Sequence, residues 1–410
     1  MPGHDLHQLI GRLLMVGVRG DGPSHPDFRR DLEACKAAAV KNIILFDVHL
    51  PRARELEAQG LCPEEARTQA TRNITSPEQL RALTDLLRED LGDDLLIAVD
   101  QEGGAVARLS PARGFAPSPS PREFAALPEI EQRREAEILA QQVRAVGVDI
   151  NFAPCIDLAI NPDNPIIARL GRAFSADPEV VTGCAREIID AHIRAGVAPC
   201  LKHFPGHGSS TADSHLGAAD VTETFDAELE LAPYLELLSC HRPSSSTVGA
   251  ASEHGSSLEG DSTSTGAPTV ADDGRWHGFD HDSLLVMTAH ILDRAVDPEF
   301  PASLSRAHTT DLLRKKLGFE GVVIIDSLDM NAVADRWPPG ESAVHALNAG
   351  ADLILHGFNA SSAESEHPAL VMSDFIAGAI ESGQIEGGVD RLGRSAERVN
   401  RLRHRLRSGR

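Results

Sequence analysis

Short apolar runs, separated by longer amphipathic stretches, recur along the whole chain. Runs of this length without polar interruptions are typical of parallel strands that are buried on both faces. Eight of them follow one another: Leu13–Gly17, Ile43–Phe46, Leu95–Asp100, Val148–Ala153, Pro199–Lys202, Leu284–Thr288, Val322–Asp326 and Asp352–Leu355. Because eight parallel strands that alternate with helices close into a barrel, the pattern predicts an α/β fold with a single (β/α)₈ TIM-type barrel.

The stretches between the runs carry helical signals. In Pro178–Gly196 the apolar residues recur at helical spacing, with a proline near the start and a glycine at the end. Ser76–Leu91 opens with Ser-Pro-Glu, which is a helix-start signal. A further helix is predicted around Val399, close to the end of the sequence.

Two segments interrupt the alternation and are predicted to be surface insertions. Residues 47–72 are polar and charged, with a short helix expected around Glu64–Thr71. Residues 239–281 are rich in Ser, Thr, Gly, Asp and His, a composition that cannot bury enough apolar area to offset the entropy of ordering. We expect the second segment to be disordered, with a lid over the active face as the alternative. No linker divides the chain into two cores, so residues 1–410 are expected to form one domain.

Charge and cysteine usage limit the class of partner and the compartment. The chain has 61 acidic and 39 basic residues and a formal net charge of -22, which disfavours nucleic acid and anionic membrane surfaces as partners. Its six cysteines lack CxxC spacing, and reduced thiols in a cytoplasmic protein are the simplest account. We find neither a signal-peptide pattern nor an apolar run near the ~18 residues of a membrane span, and therefore expect a cytoplasmic protein.

Polar and charged residues gather where the predicted strands end. In a (β/α)₈ barrel these positions face the catalytic mouth. They are Asp100, Asn151, Lys202, His203, His290 and Asp326. A charge at the end of an apolar run is costly unless it is paired or used, so the sequence predicts a functional site at this mouth.

Asp326 directly follows the run Gly-Val-Val-Ile-Ile. A carboxylate in this position could attack an anomeric carbon and form a covalent glycosyl-enzyme. It could equally act as the N-cap of the next helix. Taken alone, this residue leaves both interpretations open.

The segment Lys202–His215 places three histidines, a lysine and an aspartate in a loop that starts at a strand end. Asp213 and His215 are two residues apart, so the carboxylate can reach the imidazole locally. Such a pair fixes the tautomer of the histidine and raises its basicity, which suits general acid/base catalysis near neutral pH.

Two further interpretations of this loop stay open. One is a metal site formed by His203, His207, Asp213 and His215, although a proline and a glycine between the first two prevent an i, i+4 pair on a helix. The second is a loop whose polar groups only hydrogen-bond to one another.

Asp100 begins a third cluster, Asp-Gln-Glu-Gly-Gly. Its carboxylate could accept hydrogen bonds from sugar hydroxyls, while Gly103 and Gly104 permit a tight turn behind it. The bare pattern is common in barrel loops and carries little weight by itself.

Taken together, these segments resemble glycoside hydrolase family 3, in particular its bacterial β-N-acetylglucosaminidase (β-hexosaminidase) branch. The string Lys-His-Phe-Pro-Gly-His-Gly, followed by Asp-Ser-His, is the most specific part of the resemblance. The matching segments are Ala98–Gly104, Ile150–Asp157, Gly171–Asp177, Lys202–His215, Val286–His290 and Gly318–Met330.

The resemblance implies β-N-acetylhexosaminidase activity: retaining hydrolysis of terminal, non-reducing β-linked N-acetylglucosamine. In the short form of the family the substrates are peptidoglycan fragments in cell-wall recycling. It further implies that Asp326 is the nucleophile and that His215, tuned by Asp213, is the acid/base. The implied sugar-binding residues are Asp100, Arg108, Arg172, Lys202 and His203. No metal and no cofactor is implied; we expect a monomer whose partner is a small carbohydrate.

The chain departs from the family pattern in three places. Ala105 stands where the family usually has arginine. The 47–72 insertion is expected to enlarge a loop at or beside the barrel mouth, and the 239–281 insertion replaces what is usually a short helix–strand connection ahead of Val286. Neither touches a catalytic residue implied by the resemblance, but both leave the leaving group undetermined. A histidine acid/base would not repel an anionic acceptor, so phosphorolysis is an alternative to hydrolysis. Metal-assisted hydrolysis and a catalytically silent sugar-binding barrel also stay open.

Overall fold

The structure is a computed structural model, and it describes residues 3–213, 217, 219–239, 279–359 and 366–408. Nearly all of the predicted 239–281 insertion lies outside the described residues, so its disorder stays a prediction. Among the described residues, no helix combines the length and the apolar character needed to cross a membrane.

Eight parallel strands form the central sheet, in the order that the apolar runs predict. They are β1 (Leu14–Gly17), β2 (Asn42–Ile44), β3 (Leu96–Val99), β4 (Ile150–Asn151), β5 (Ala198–Phe204), β6 (Leu285–Thr288), β7 (Val322–Ile325) and β8 (Ile354–His356). Strands β1 to β7 pair in chain order, and β8 pairs with β1. A parallel bridge between Ile324 and Leu353 links β7 to the residue before β8 and nearly closes the ring. The predicted (β/α)₈ barrel is therefore confirmed.

Several predicted strand ends differ from the observed ones. Asp100 and Asp326 lie one residue beyond their strands, because the chain turns there from the apolar wall into the polar mouth. The predicted strand Val148–Ala153 is reduced to two residues. Conversely, β5 runs on to Phe204, so Lys202 and His203 lie inside the strand and not at its end.

Helices surround the sheet. The α-helices of the described residues are α1 (Gly3–Gly11), α2 (Pro26–Ala37), α3 (Leu50–Ala58), α4 (Pro63–Gln69), α5 (Pro77–Leu91), α6 (Pro121–Ala125), α7 (Glu129–Ala145), α8 (Pro178–Arg194), α9 (Ala227–Glu230), α10 (Ala232–Leu238), α11 (Asn331–Ala334), α12 (Pro339–Ala349), α13 (Pro368–Glu381) and α14 (Gly388–Ser408). A π-helix spans Ala307–Lys316. The predicted helices at 76–91 and 178–196 are α5 and α8, and the Ser76 hydroxyl caps α5 by accepting from the backbone N–H of Gln79.

The smaller elements lie near the strand ends. Gln101–Gly103 pairs with Val106–Ala107 in an antiparallel ribbon, and Ala219–Asp220 pairs with Ile291–Leu292. Short 3₁₀ turns cover Pro111–Arg113, His281–Ser283 and Ala302–Leu304.

Successive side chains of each strand point to opposite faces of the sheet, and this divides the apolar core into two parts. Met15, Ile44 and Ala98 belong to a cluster inside the barrel, while the adjacent Leu14 and Ile43 pack in the layer between sheet and helices. The inner cluster also contains Val399, Leu402 and Leu406 of α14. Because Arg403 of the same helix donates to the backbone carbonyl of Lys41, just before β2, α14 lies at the amino-terminal end of the barrel. The carboxyl ends of the strands are left for the site.

Asp352 joins the two strands that complete the ring. Its backbone N–H donates to the Val323 carbonyl at 2.7 Å, and its carboxylate accepts from the Val323 N–H at 3.0 Å. The same carboxylate is fully buried and pairs with Arg314, with Arg398 at 3.2 Å, and with the Ser395 hydroxyl. Burial alone would raise the pKa of Asp352, but these arginines outweigh it and hold the pKa below its ordinary value.

We predict that Asp352→Ala lowers the free energy of unfolding by about 3 kcal/mol, because it leaves the partly buried guanidinium groups of Arg314 and Arg398 without their counter-ion. Chemical denaturation at neutral pH measures this. The control is Asp311→Ala, which removes an exposed pair with Lys315 and is expected to cost less than about 0.5 kcal/mol. Equal losses in the two variants would contradict a structural role for the buried cluster.

Candidate active site

A cavity of about 290 Å³ opens at the carboxyl ends of the barrel strands. It is lined by residues that follow or end the strands, among them Phe46 after β2, Phe152 after β4 and Leu355 in β8. The predicted site residues that line it are Asp100, Arg108, Arg172, Lys202, His203, Asp213 and Asp326. His215, the predicted acid/base, lies outside the described residues.

Asp326 lies at the floor of this cavity, directly after β7. Its backbone N–H donates to the Thr288 carbonyl at 3.0 Å, and its own Oδ1 accepts from the Ser327 N–H at 2.8 Å. The next helix begins only at Asn331, with Met330 as its N-cap residue. The N-cap interpretation of Asp326 is therefore wrong.

Two polar residues predicted at strand ends support the site without lining the cavity. His290 contacts the Ser327 carbonyl through Nε2 at 2.9 Å and the Ser303 hydroxyl through Nδ1 at 2.7 Å. Asn151 donates to the Gln101 carbonyl and accepts from the Gln101 N–H, both at 2.9 Å. Each holds the backbone next to a predicted site residue.

Lys202 is the centre of a buried ion network. Its Nζ donates to Asp100 Oδ1 at 2.8 Å and to Glu102 Oε1 at 2.7 Å. Glu102 also accepts two hydrogen bonds from Arg172, at 2.8 and 2.9 Å, and Asp100 lies 3.5 Å from Arg108. The predicted sugar-binding residues thus form one connected network. Glu102, which is not among the residues predicted from the sequence, lies at its middle.

The network fixes the charge of its members at neutral pH. Burial would raise the pKa of Glu102, but Arg172 and Lys202 outweigh it and hold that pKa far below its ordinary value. Burial would likewise raise the pKa of Asp100, and Lys202 and Arg108 keep it low. For Lys202, burial acts to lower the pKa and the two carboxylates raise it above its usual range. The site therefore contains ionised, pre-oriented donors and acceptors.

Asp157, which is also not among the predicted residues, anchors the loop that follows β5. His203 Nδ1 donates to Asp157 Oδ2 at 2.6 Å, and the backbone N–H of His207 donates to Oδ1 at 2.8 Å. Burial would raise the pKa of Asp157, but the nearby His203 and His207 outweigh it and hold it at about 2. With its Nδ1 proton committed to Asp157, His203 directs Nε2 at Arg172, 3.3 Å away.

Three buried side chains beside the loop after β5 are close enough together to be considered as metal ligands. Donor atoms of Cys155, Asp157 and His203 lie within 4.8 Å of one another. They already bond to each other, because the Cys155 thiol also donates to Asp157, at 3.3 Å. Burial raises the pKa of that thiol well above its ordinary value, so it stays protonated. The predicted alternative of a four-residue metal site includes His215, which lies outside the described residues.

A family model for the glycosyl hydrolase family 3 N-terminal domain matches residues 65–248 and 277–402. The chain belongs to glycosyl hydrolase family 3.

Individual proteins also resemble the chain over most of its length. A beta-hexosaminidase from Alkalilimnicola ehrlichii is 36% identical over 292 residues, which are 70% of this chain and 71% of the relative. Beta-hexosaminidase A from Pseudoalteromonas piscicida is 29% identical over 304 residues, but the match spans only 44% of that longer protein. The solved structure of a family 3 beta-N-acetylglucosaminidase from Paenibacillus sp. str. FPU-7 aligns with a TM-score of 0.73 and 30% identity, over 98% of this chain and 62% of the other.

In this family 3 chain, the 47–72 segment forms one wall of the cavity mouth. It contains two helices, α3 and α4, where the sequence predicts one, and α4 corresponds to the predicted one. Asp47 lies 3.7 Å from Arg108, so the segment reaches a predicted sugar-binding residue. Ala105 is exposed at the turn of the neighbouring ribbon and also lines the cavity.

Glu230, at the end of α9, supports the loop after β5 from behind. Its Oε2 accepts from the Gly208 N–H at 2.9 Å. A Cβ on Gly206, where φ is +149°, would lie only 2.7 Å from Glu230 Cβ, so the close approach requires glycine. Burial raises the pKa of Glu230 to about 7. No pattern in the sequence pointed to this residue.

We predict that Glu230→Gln is more stable than the wild type at pH 8, by about 2–3 kcal/mol, with the difference vanishing near pH 4.5. The raised pKa means that the folded protein favours the protonated carboxyl. Protonated Glu230 therefore contributes to the free energy of unfolding of the wild type. This contribution is complete below the ordinary pKa of a glutamate and is lost as the pH rises to about 7. Glutamine stays neutral throughout and retains the acceptor for the Gly208 N–H.

Denaturant unfolding of both proteins between pH 4.5 and 8 measures the difference. Exposed Glu228 on the same helix provides the control, since Glu228→Gln is expected to change the free energy of unfolding by less than about 0.5 kcal/mol at either pH. A Glu230→Gln effect that is the same at every pH would show that burial of the carboxyl does not control its titration.

Proposed function

We propose that this chain is a retaining β-N-acetylhexosaminidase that removes terminal, non-reducing β-linked N-acetylglucosamine. The observation that supports the proposal is the shared cavity: Asp326, Asp213 and the five predicted sugar-binding residues all line it. Two relatives are named beta-hexosaminidases, and a similar solved structure is a family 3 beta-N-acetylglucosaminidase.

In the proposed reaction the Asp326 carboxylate attacks the anomeric carbon and displaces the leaving group. His215 gives a proton to the departing oxygen, and a covalent glycosyl-enzyme results. In the second step His215 takes a proton from water, which attacks the same carbon and releases Asp326. Two inversions retain the β configuration. Asp213 stabilises the imidazolium that forms in each cycle.

The ion network is suited to hold the sugar in this reaction. Ionised Asp100 accepts hydrogen bonds from sugar hydroxyls, and Lys202 and Arg172 donate to sugar oxygens. Because their charges are already paired and oriented, little reorganisation is needed when the substrate binds. We propose peptidoglycan fragments as the natural substrates.

Asp326→Ala is expected to lower kcat/KM for p-nitrophenyl β-N-acetylglucosaminide by about 10⁴-fold or more, since no other group would form the covalent intermediate. Product analysis with and without phosphate shows whether free sugar or a sugar phosphate is released. The control is Asp335→Ala, an exposed aspartate beyond the same strand, which should turn over as the wild type does. Undiminished turnover by Asp326→Ala would disprove its role, and absence of turnover in the wild type would favour a silent barrel.

His215→Ala is expected to affect substrates with poor leaving groups most. Proton donation matters little for p-nitrophenolate and greatly for an alkoxide, so the loss in kcat/KM should be at least about tenfold larger for a disaccharide than for the nitrophenyl substrate. Equal losses for the two substrates would rule out His215 as the general acid.

A further inference from the structure

The 47–72 segment is folded on its own small core. An antiparallel bridge between Val48 and Thr71 closes its base, where the His49 N–H also donates to the Ala70 carbonyl at 2.7 Å. The apolar side chains between α3 and α4 are buried; they are Val48, Ala53, Leu56, Ala66 and Ala70. A core of this kind fixes the orientation of the two helices, and therefore which of their residues face the cavity.

Two arginines of this segment lie at the mouth of the catalytic cavity. Leu50 and Arg54 are four residues apart on α3, on one face of the helix, and both line the cavity. Arg67 of α4 lines it as well, with its side chain 46% exposed. The neighbouring Arg52 instead pairs with Glu55 on another face of α3.

The cations at the mouth of the cavity are less completely paired with carboxylates than those at its floor. Deeper in the cavity each cation is matched by carboxylates: Lys202 by Asp100 and Glu102, and Arg172 by Glu102. At the mouth, buried Asp47 is shared between Arg67 at 3.5 Å and Arg108 at 3.7 Å.

Arg54 is exposed, and no carboxylate of the described residues lies within 4 Å of its guanidinium. In a chain whose net charge is -22, the mouth thus presents one guanidinium, that of Arg54, without a carboxylate partner among the described residues, beside two arginines that share Asp47.

Beside these arginines the mouth offers apolar surface. Leu50 is 36% exposed and Leu170 is 44% exposed, and both line the same cavity. Exposed leucines next to guanidinium groups fit a leaving group that combines an apolar face with a negative charge.

We infer that Arg54 and Arg67 form an outer subsite that selects a leaving group bearing a carboxylate. The inference rests on the proposed function and specifies its substrate: the sugar to be released binds at the ion network, and the carboxylate of the leaving group binds at the arginines. A guanidinium pairs with a carboxylate in a planar, two-point geometry that a neutral sugar cannot reproduce.

The test compares three substrates with the same bond to be cleaved. Chitobiose has a neutral leaving group, whereas N-acetylglucosaminyl-N-acetylmuramic acid carries a carboxylate on its lactyl group. The same disaccharide extended by alanyl-glutamate carries its carboxylates on the peptide. The anionic substrate that is preferred more strongly over chitobiose therefore shows which carboxylate the arginines bind. The preference is the ratio of kcat/KM for an anionic substrate to that for chitobiose.

We expect the wild type to prefer at least one anionic substrate by about tenfold, and Arg54→Gln/Arg67→Gln to reduce this ratio to near one. Arg54→Gln alone should reduce it about threefold, and Arg52→Gln on the same helix should not change it. Methyl esterification of the favoured substrate should abolish the preference, and high salt should weaken it.

A preference that survives in the double variant, or a wild type that cleaves all three substrates equally well, overturns the inference and leaves the proposed function intact. A wild type that cleaves none of them, and does not release p-nitrophenol, overturns the proposed function and the inference with it.

Discussion

The site depends on the pairing of buried charges around Lys202. An ammonium group that is almost fully removed from water is tolerable only if carboxylates replace its hydration, and Asp100 and Glu102 do so at 2.8 and 2.7 Å. Glu102 is in turn held by Arg172. Removal of one member would leave another charge buried and uncompensated. The members of the network therefore depend on one another, and together they arrange polar groups for a polar ligand at the mouth of the barrel.

The loop after β5 is held by a second set of contacts that meets the first at His203. Asp157 fixes the imidazole from one side and Arg172 faces it from the other. Glu230 supports the loop from behind, close to Gly206. The loop continues from these anchors toward Asp213, which also faces the cavity. Rigid support of this kind allows a loop to present reactive groups, since a side chain on an unsupported loop would lose its orientation.

The two ends of the barrel are used differently. At the amino-terminal end, Val399 and its neighbours on α14 complete the apolar interior. At the carboxyl end, the interior gives way to charged residues and to the 47–72 segment with its own small core. Floor and wall thus come from distant parts of the chain. The floor follows from the barrel, and the wall belongs to the segment that connects β2 to β3.

The sequence by itself determined the barrel and most of the residues at its mouth. Parallel strands that are buried on both faces leave continuous apolar runs, and the residue after each run must face the mouth, so Asp100 and Asp326 could be located by counting. Only the tertiary structure decided which of these groups pair. Asp157 meets His203 from 46 positions away, and Glu102 meets Arg172 from 70 positions away.

Such partners leave no periodic signal, because the approach of two loops depends on how the whole ring closes. The same holds for Glu230, whose environment is set by Gly206 and Gly208. It also holds for the 47–72 segment. The sequence showed that this segment is charged, but it could not show that Arg54 faces the cavity while Arg52 faces away from it. Local pattern determines which face of an element is apolar, and packing determines what its polar face meets.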